Sequence, residues 1–330
     1  MSAAPSPGLV RRRRLGATGI DVSEIGFGTW GIGGRTSGET SYGDTDDAQS
    51  RLALDCAVAC GIDFFDTAAA YGDGHSEALL GELARRTRRP LIVSTKAGIP
   101  RFGESADFSP NALAQSLAGS LDRLGRSSAD GLLLHNPTPQ MMKAEPAIAA
   151  FLENAVTSGR IRFWGLSVKS PADGIAMLEA FHVPVIQVNL NMLDVRAATG
   201  GLLDLAAKRG TAIIARTPLC FGFLSGHVDE NTVFPPGDHR NAWSVAQRRA
   251  WAEGARRAWA LAEPAAGESM AQTALRFCLS FPAVSLVLPG PLTAAEVDDN
   301  AGASARGPLA EHAVARILDL NRTTDFFVRG

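Results

Sequence analysis

Four residues in the first half of the chain are of types that do proton chemistry when they converge: Asp66, Tyr71, Lys96 and His135. A tyrosine hydroxyl titrates near 10 in water and is a poor proton donor or acceptor at neutral pH. A neighbouring ammonium favours the phenolate and lowers that value, while a carboxylate keeps the ammonium charged and oriented. An imidazole on the other side can position a carbonyl oxygen. Such a set suits reversible hydride transfer between a nicotinamide and a carbonyl, where one proton must enter or leave the oxygen. Taken singly, each residue has an ordinary explanation: Asp66 caps a turn, Tyr71 packs over it, Lys96 snorkels from a strand end and His135 is a hydrogen-bonded core histidine. Their coincidence favours the chemistry, and so does scarcity. The chain has only two tyrosines, Tyr42 and Tyr71, and four lysines among 32 basic residues. It has no HxH pair or His/Asp cluster for a hydrolytic metal and no GxSxG nucleophile elbow, so no metal site is expected.

Each of the four residues ends or follows an apolar run. Residues 61–72, GIDFFDTAAAYG, read as a buried strand ending at Asp66 with Tyr71 in the small-residue loop beyond it. Strands over 90–98 and 130–137 carry Lys96 and His135 near their ends. In parallel α/β proteins the C-terminal strand ends and the loops after them hold ligands and catalytic groups. Before these runs, residues 11–23 read as a hairpin turning at Gly16 to Gly19, and 24–31 as a glycine-punctuated first strand. Gly26 and Gly28 lack the third glycine and the following helix of a dinucleotide fingerprint, which excludes a Rossmann reading. Helices are expected from Asp46 or Asp47 to Cys60, with Leu52, Ala53, Cys56, Ala57 and Cys60 as the buried stripe, and over 76–86, 109–124, 141–158, 172–181 and 200–209. Further strands are expected over 161–168, 185–189, 211–216 and 285–288. Strand then helix, repeated eight times, predicts an α/β fold: one (β/α)8 TIM barrel domain spanning 1–330 with an N-terminal hairpin. Residues 1–10 read as disordered. Residues 225–267 form an insertion after strand 7, with a helix over 245–263, expected to lie over the barrel mouth. Leu309, Ala313, Ile317 and Leu320 mark a C-terminal helix outside the barrel.

A net charge of -2 gives no global basic field for nucleic acid or an anionic membrane. No stretch is long and apolar enough to span a bilayer, and the run Arg11 to Arg14 has no apolar segment after it, so it reads as a solvated arm or strand start. Cys56, Cys60, Cys220 and Cys278 show neither CxxC spacing nor a secreted framework and read as reduced core residues of a cytoplasmic protein.

With these motifs the chain resembles the aldo-keto reductase family from about Leu15 to Asn300: GIDFFDTAAAYG at 61–72, STK at 94–96 and LHNP at 134–137 look like that family's signatures. The resemblance implies an NAD(P)-dependent oxidoreductase that interconverts a carbonyl (aldehyde, ketone or ketosugar) and an alcohol. Tyr71 would be its acid/base, Asp66 and Lys96 the tuning pair and His135 the carbonyl orienter. It also implies cofactor positions: Gly28, Thr29 and Trp30 at the first strand end, Asp66, Ser167 and Gln187 at the carboxamide, and Arg216 stacked where many members place a tyrosine. Thr217, Pro218, Leu219, Phe221, Leu224 and Gly226 match the pyrophosphate loop, and Pro289, Gly290, Thr293, Glu296, Asp299 and Asn300 the adenosine site. Trp30, Tyr71, Phe102 and His135 would line the substrate pocket. Val168 replaces the family's usual asparagine. Family habit points to NADP(H), but Leu292 cannot pair a 2′-phosphate and Glu296 would repel one, which makes NAD(H) plausible. The alternative is a non-catalytic nicotinamide-binding or sensing subunit on the same fold.

Overall fold

The computed structural model describes residues 10–38 and 40–328. β1 (Arg12–Arg14) and β2 (Asp21–Ser23) pair antiparallel as the expected hairpin. Arg12, Arg13 and Arg14 each meet a carboxylate, of Asp63, Glu24 and Asp21 in turn, so the basic run is a pinned strand and not a free arm. Of the residues expected to be disordered, 1–9 lie outside the described residues. Val10 is described, and it is buried against the core.

Beyond the hairpin run β3 (Phe27–Gly28), α1 (Asp47–Ala59), β4 (Phe64–Asp66), α2 (His75–Arg86), β5 (Ile92–Ala97), α3 (Pro110–Leu124) and β6 (Gly131–His135). Then come α4 (Pro139–Ala144), α5 (Pro146–Thr157), β7 (Phe163–Ser167), α6 (Pro171–Ala180), β8 (Val185–Asn189), α7 (Arg196–Thr199), α8 (Leu202–Arg209) and β9 (Ala212–Arg216). The chain closes with α9 (Val245–Ala262), α10 (Met270–Leu279), β10 (Val284–Leu288), α11 (Ala294–Arg306) and α12 (Glu311–Thr323). β3 to β10 pair in parallel, in chain order. A bridge between Ile25 and Val287 closes the ring, with the amides of Gly26 and Gly28 donating to the carbonyls of Val287 and Pro289 at 2.8 Å. This is a (β/α)8 barrel.

Two apolar clusters hold it. Inside the ring, Phe64, Ile92, Leu133, Phe163, Val185, Ile214 and Leu286 point inward from successive strands, and Leu15, Ile20 and Val22 of the hairpin plug the N-terminal end. The larger cluster lies between the outer strand faces and the helices. Period-two alternation explains the split, since each strand buries both faces. Local chemistry sets the helix starts: Ser109, Thr138 and Ser170 cap their helices through the side-chain oxygen and a proline follows each.

Four expectations change. Leu52 is 62 % exposed, and α1 instead buries Ser50, Ala53, Leu54 and Ala57. The helix expected over 141–158 is two helices, because Pro146 has no amide proton to continue α4 and starts α5. Only Phe27 and Gly28 of the expected first strand ladder with β4. The helix α10 was not expected. Its sequence MAQTALRFCL buries Ala271, Thr273, Ala274, Leu275, Phe277, Cys278 and Leu279 and leaves Gln272 and Arg276 on the outer side.

Candidate active site

Strand register ranks the chemistry at the C-terminal mouth. Gly28 pairs with Asp66, and His135 with Ser167, which pairs with Gln187. Asn189 and Leu288 flank Arg216. Tyr71 enters from a one-turn helix after β4, where Gly72 takes φ +59 and a Cβ would overlap the carbonyl of Gly33. Only glycine lets these two loops cross.

Asp66, Tyr71, Lys96 and His135 come together as expected. The buried Lys96 ammonium donates to a carboxylate oxygen of Asp66, to the carbonyl of Thr67 at 3.0 Å and to Tyr71 Oη at 2.9 Å. Lysine cannot accept, so the tyrosine's own proton is left to point into the cavity. Gln187 donates to the other oxygen of Asp66 at 3.0 Å, which commits its amide nitrogen to the carboxylate. Rings of Tyr71, Phe102 and His135 stand about one another with centroids 5.9–6.2 Å apart.

Electrostatics differ in one respect from the sequence reading. Burial raises the Tyr71 phenol above its ordinary value and outweighs the Lys96 ammonium, which pulls it down. Burial also raises the Asp66 carboxyl against the opposing pull of Lys96, and disfavours the Lys96 ammonium, which Asp66 and Tyr71 more than restore. His135 lies well below its ordinary value through burial and then the Lys96 and Arg216 charges, so its imidazole is neutral. The resting site holds a neutral phenol beside a neutral imidazole.

These groups floor a cavity of about 650 Å³. Of the residues singled out from sequence, Gly28, Trp30, Asp66, Tyr71, Phe102, His135, Gln187, Arg216, Thr217, Pro218, Leu219, Phe221, Pro289, Gly290, Leu292, Glu296, Asp299 and Asn300 face it. Others serve its walls. Thr29 donates to the Asp66 carbonyl at 3.0 Å, Thr293 caps α11, Leu224 is core, Gly226 packs on Met270, and Ser167 is buried behind the lining. The loop after β9 is strained, with Thr217, Cys220 and Phe221 all at φ between 45° and 56°. Such outliers cluster at functional sites. The amide of Asn191 donates to the Thr217 carbonyl at 3.1 Å and holds the bend.

Sequence reading missed Tyr42, Asn136, His239, Arg240 and Trp243, which also face the cavity. Tyr42 carried a signal, being one of two tyrosines. Of the 225–267 segment, Ser225, His227, Val228, His239, Arg240 and Trp243 line the cavity. His239 donates its amide to the Ser41 carbonyl at 2.9 Å, Tyr42 bridges Asp238, and Arg240 sits 4.2 Å from the ring centres of both Tyr42 and Phe234.

A barrel with its cavity at the C-terminal strand ends is the arrangement of (β/α)8 enzymes. The chain belongs to the aldo/keto reductase family, whose model matches residues 24–322, and it is an oxidoreductase of the carbonyl-reducing type that the family comprises. It is similar to the NADH-specific methylglyoxal reductase of Escherichia coli, with 32% identity over 68% of this chain and 72% of that protein. It is 30% identical to L-glyceraldehyde 3-phosphate reductase of Escherichia coli O157:H7, over 89% of this chain and 87% of that one. Against aldo-keto reductase str7 of Strobilurus tenacellus identity is 34%, over 66% of this chain and 65% of the relative. Among solved structures it resembles the glycerol dehydrogenase of Gluconobacter oxydans at TM-score 0.78 and 25% identity, covering 96% of this chain and 97% of that one.

Proposed function

We propose that the protein reduces a small carbonyl compound with a nicotinamide dinucleotide, Tyr71 delivering the proton. The observation that carries this reading is the Lys96 ammonium donating to Tyr71 Oη while Asp66 holds it, which leaves a phenol proton facing the cavity. A bound nicotinamide supplies the hydride pair to the carbonyl carbon. The carbonyl oxygen is oriented by the neutral His135 and takes its proton from Tyr71. Lys96 and Asp66 then stabilise the phenolate until solvent reprotonates it. The residues present fit the dinucleotide. The cavity lining includes Tyr71, Arg216 and, from α11, Ala295, Glu296, Asp299 and Asn300, and a Cβ on Gly28 would crowd the Pro289 carbonyl at 3.2 Å, so glycine lets these two lining strands' ends pack together.

The finer choice is NADH. Glu296 folds back on α11, accepting from the amides of Leu292 at 2.6 Å and Thr293 at 3.2 Å. It thus fills the anion nest at the helix start that a 2′-phosphate would need. The methylglyoxal reductase that the chain resembles bears the name NADH-specific, which supports this choice and a small dicarbonyl substrate.

Tyr71→Phe tests the mechanism. It deletes the relayed proton and keeps the ring, so turnover of methylglyoxal should fall roughly 10²-fold or more while dinucleotide titration is unchanged. Retention of more than about a tenth of wild-type kcat would exclude Tyr71 as the acid.

A further inference from the structure

We infer that Arg216 makes this cavity selective for the reduced, uncharged nicotinamide ring over its oxidised, cationic form. The inference rests on the nicotinamide reading above and extends it to a property of one side chain. Asp66 and Arg216 line the inner end of the cavity, with Lys96 buried behind Asp66. Asp66 is paired with Lys96 and Asp194 with Arg196, which leaves Arg216 with no carboxylate partner among the described residues. Its Nη2 donates to the Val168 carbonyl at 3.1 Å, and its Nε is buried without a partner. Burial depresses even this guanidinium below its ordinary value. A buried guanidinium with no carboxylate in contact is costly even with Asp66 and Asp194 nearby, and what enters beside it is sorted by sign.

Position decides what enters. β9 lies four strands round the ring of eight from β5, so Arg216 at the end of β9 stands across the mouth from Phe102, which follows β5. A carbonyl held by Tyr71 and His135 occupies the Phe102 side. The rest of the cavity runs along Thr217 to Leu219 and on to Asp299 and Asn300, and a dinucleotide laid in it brings its ring to Arg216. The oxidised ring carries a positive charge and the reduced ring none. Two like charges a few ångströms apart at protein-like screening shift an affinity by on the order of tenfold or more. Selection of this kind lets the protein load the reduced dinucleotide in the presence of excess oxidised form, and it speeds release of the oxidised product.

The test is equilibrium binding, with no turnover required. NADH is titrated by its fluorescence and NAD+ by competition, on wild type, Arg216→Gln and Arg216→Lys, and the pair NADPH and NADP+ is run alongside. Wild type should bind the reduced form roughly tenfold tighter. Arg216→Gln should shrink that ratio severalfold, chiefly by tightening NAD+, and Arg216→Lys, which keeps the charge, should restore it. Equal ratios in wild type and Arg216→Gln, or a ratio lost in Arg216→Lys as well, would overturn the inference while leaving the nicotinamide reading intact. Failure of every dinucleotide to bind wild type would overturn both.

Discussion

Three hydrogen bonds leave the Lys96 ammonium, to Asp66, Thr67 and Tyr71, and they use every proton it has. That saturation explains why the lysine tunes the phenol without competing for it. The residue types at 66, 71, 96 and 135 marked these positions in advance, and the structure brings the four side chains together at the ends of β4, β5 and β6 and in the loop after β4. The sign of the Tyr71 shift was not legible, since it depends on how much water the finished cavity excludes. Here burial raises the phenol and Lys96 opposes it. Reduction requires the protonated phenol, so its rate holds through neutral pH and falls only on the basic side of the ordinary phenol range. Lys96→Met removes the opposing charge, and the basic limb should then move to still higher pH. At the same time kcat should drop by about 10²-fold, as the phenolate left behind loses its partner. A pH profile of kcat on folded variant, checked by circular dichroism, reads both effects. An unchanged profile and kcat would make the lysine structural.

Elements whose limits are written in local chemistry were readable in advance. Ser109 followed by Pro110 starts α3, and Asp46 caps α1. Two others were passed over although local signals mark them: α10 follows the Ser269 cap with an apolar face that leaves Gln272 and Arg276 outside, and the break at Pro146 follows the polar Lys143 and Glu145. The start of α11 joins both cases. Its capping box, Thr293 with Glu296, is a sequence signature, yet the sequence reading took Glu296 only as a charge near the ribose. The structure gives that carboxylate a second task, since it satisfies the amides of Leu292 and Thr293. Glu296→Gln keeps an acceptor for the cap and loses the charge, and Leu292→Arg adds a cation on the same turn. A like-charge repulsion on the order of 1 kcal/mol is removed even at water-like screening. The double variant should bind NADP several-fold tighter than wild type, with NAD affinity little changed. Competitive titration of both dinucleotides checks it, and a wild type that already binds NADP a hundredfold tighter would refute this reading of the loop.

Across the whole molecule, a closed ring of strands carries the site and two segments from opposite sides of the mouth cover it. Residues 31–38 and 40–45 come from one side of the mouth and 225–243 from the other, and they meet through Ser41, Tyr42, Asp238, His239 and Arg240. Asp238 is fully buried and forms a bidentate pair with Arg240, whose guanidinium lies between the rings of Tyr42 and Phe234. Trp30, Phe221 and Trp243 each meet His239 edge to face beside this clasp, and all four line the cavity. The barrel was legible from strand–helix repetition, but the clasp was not. It joins segments about 200 residues apart, and its chemistry is ordinary until they touch. A dinucleotide reaches a cavity so covered only when the two segments part, so the clasp should set the dissociation rate and leave the proton transfer alone. Replacing Asp238 with Asn and Arg240 with Met together removes both charges without stranding either in the interior, and the Met stem keeps its place between the rings. The pair lies within one segment and holds the guanidinium over the Tyr42 ring of the other, so its loss acts through that cation–π contact, roughly 0.5–2 kcal/mol, and should raise the NADH dissociation rate severalfold. Stopped-flow displacement of NADH measures that rate directly, and single-turnover reduction of methylglyoxal by the preformed NADH complex measures the chemical step. The expected result is fast release with near-normal single-turnover rate. Unchanged release would show that the dinucleotide leaves by a path that does not part Tyr42 from Asp238.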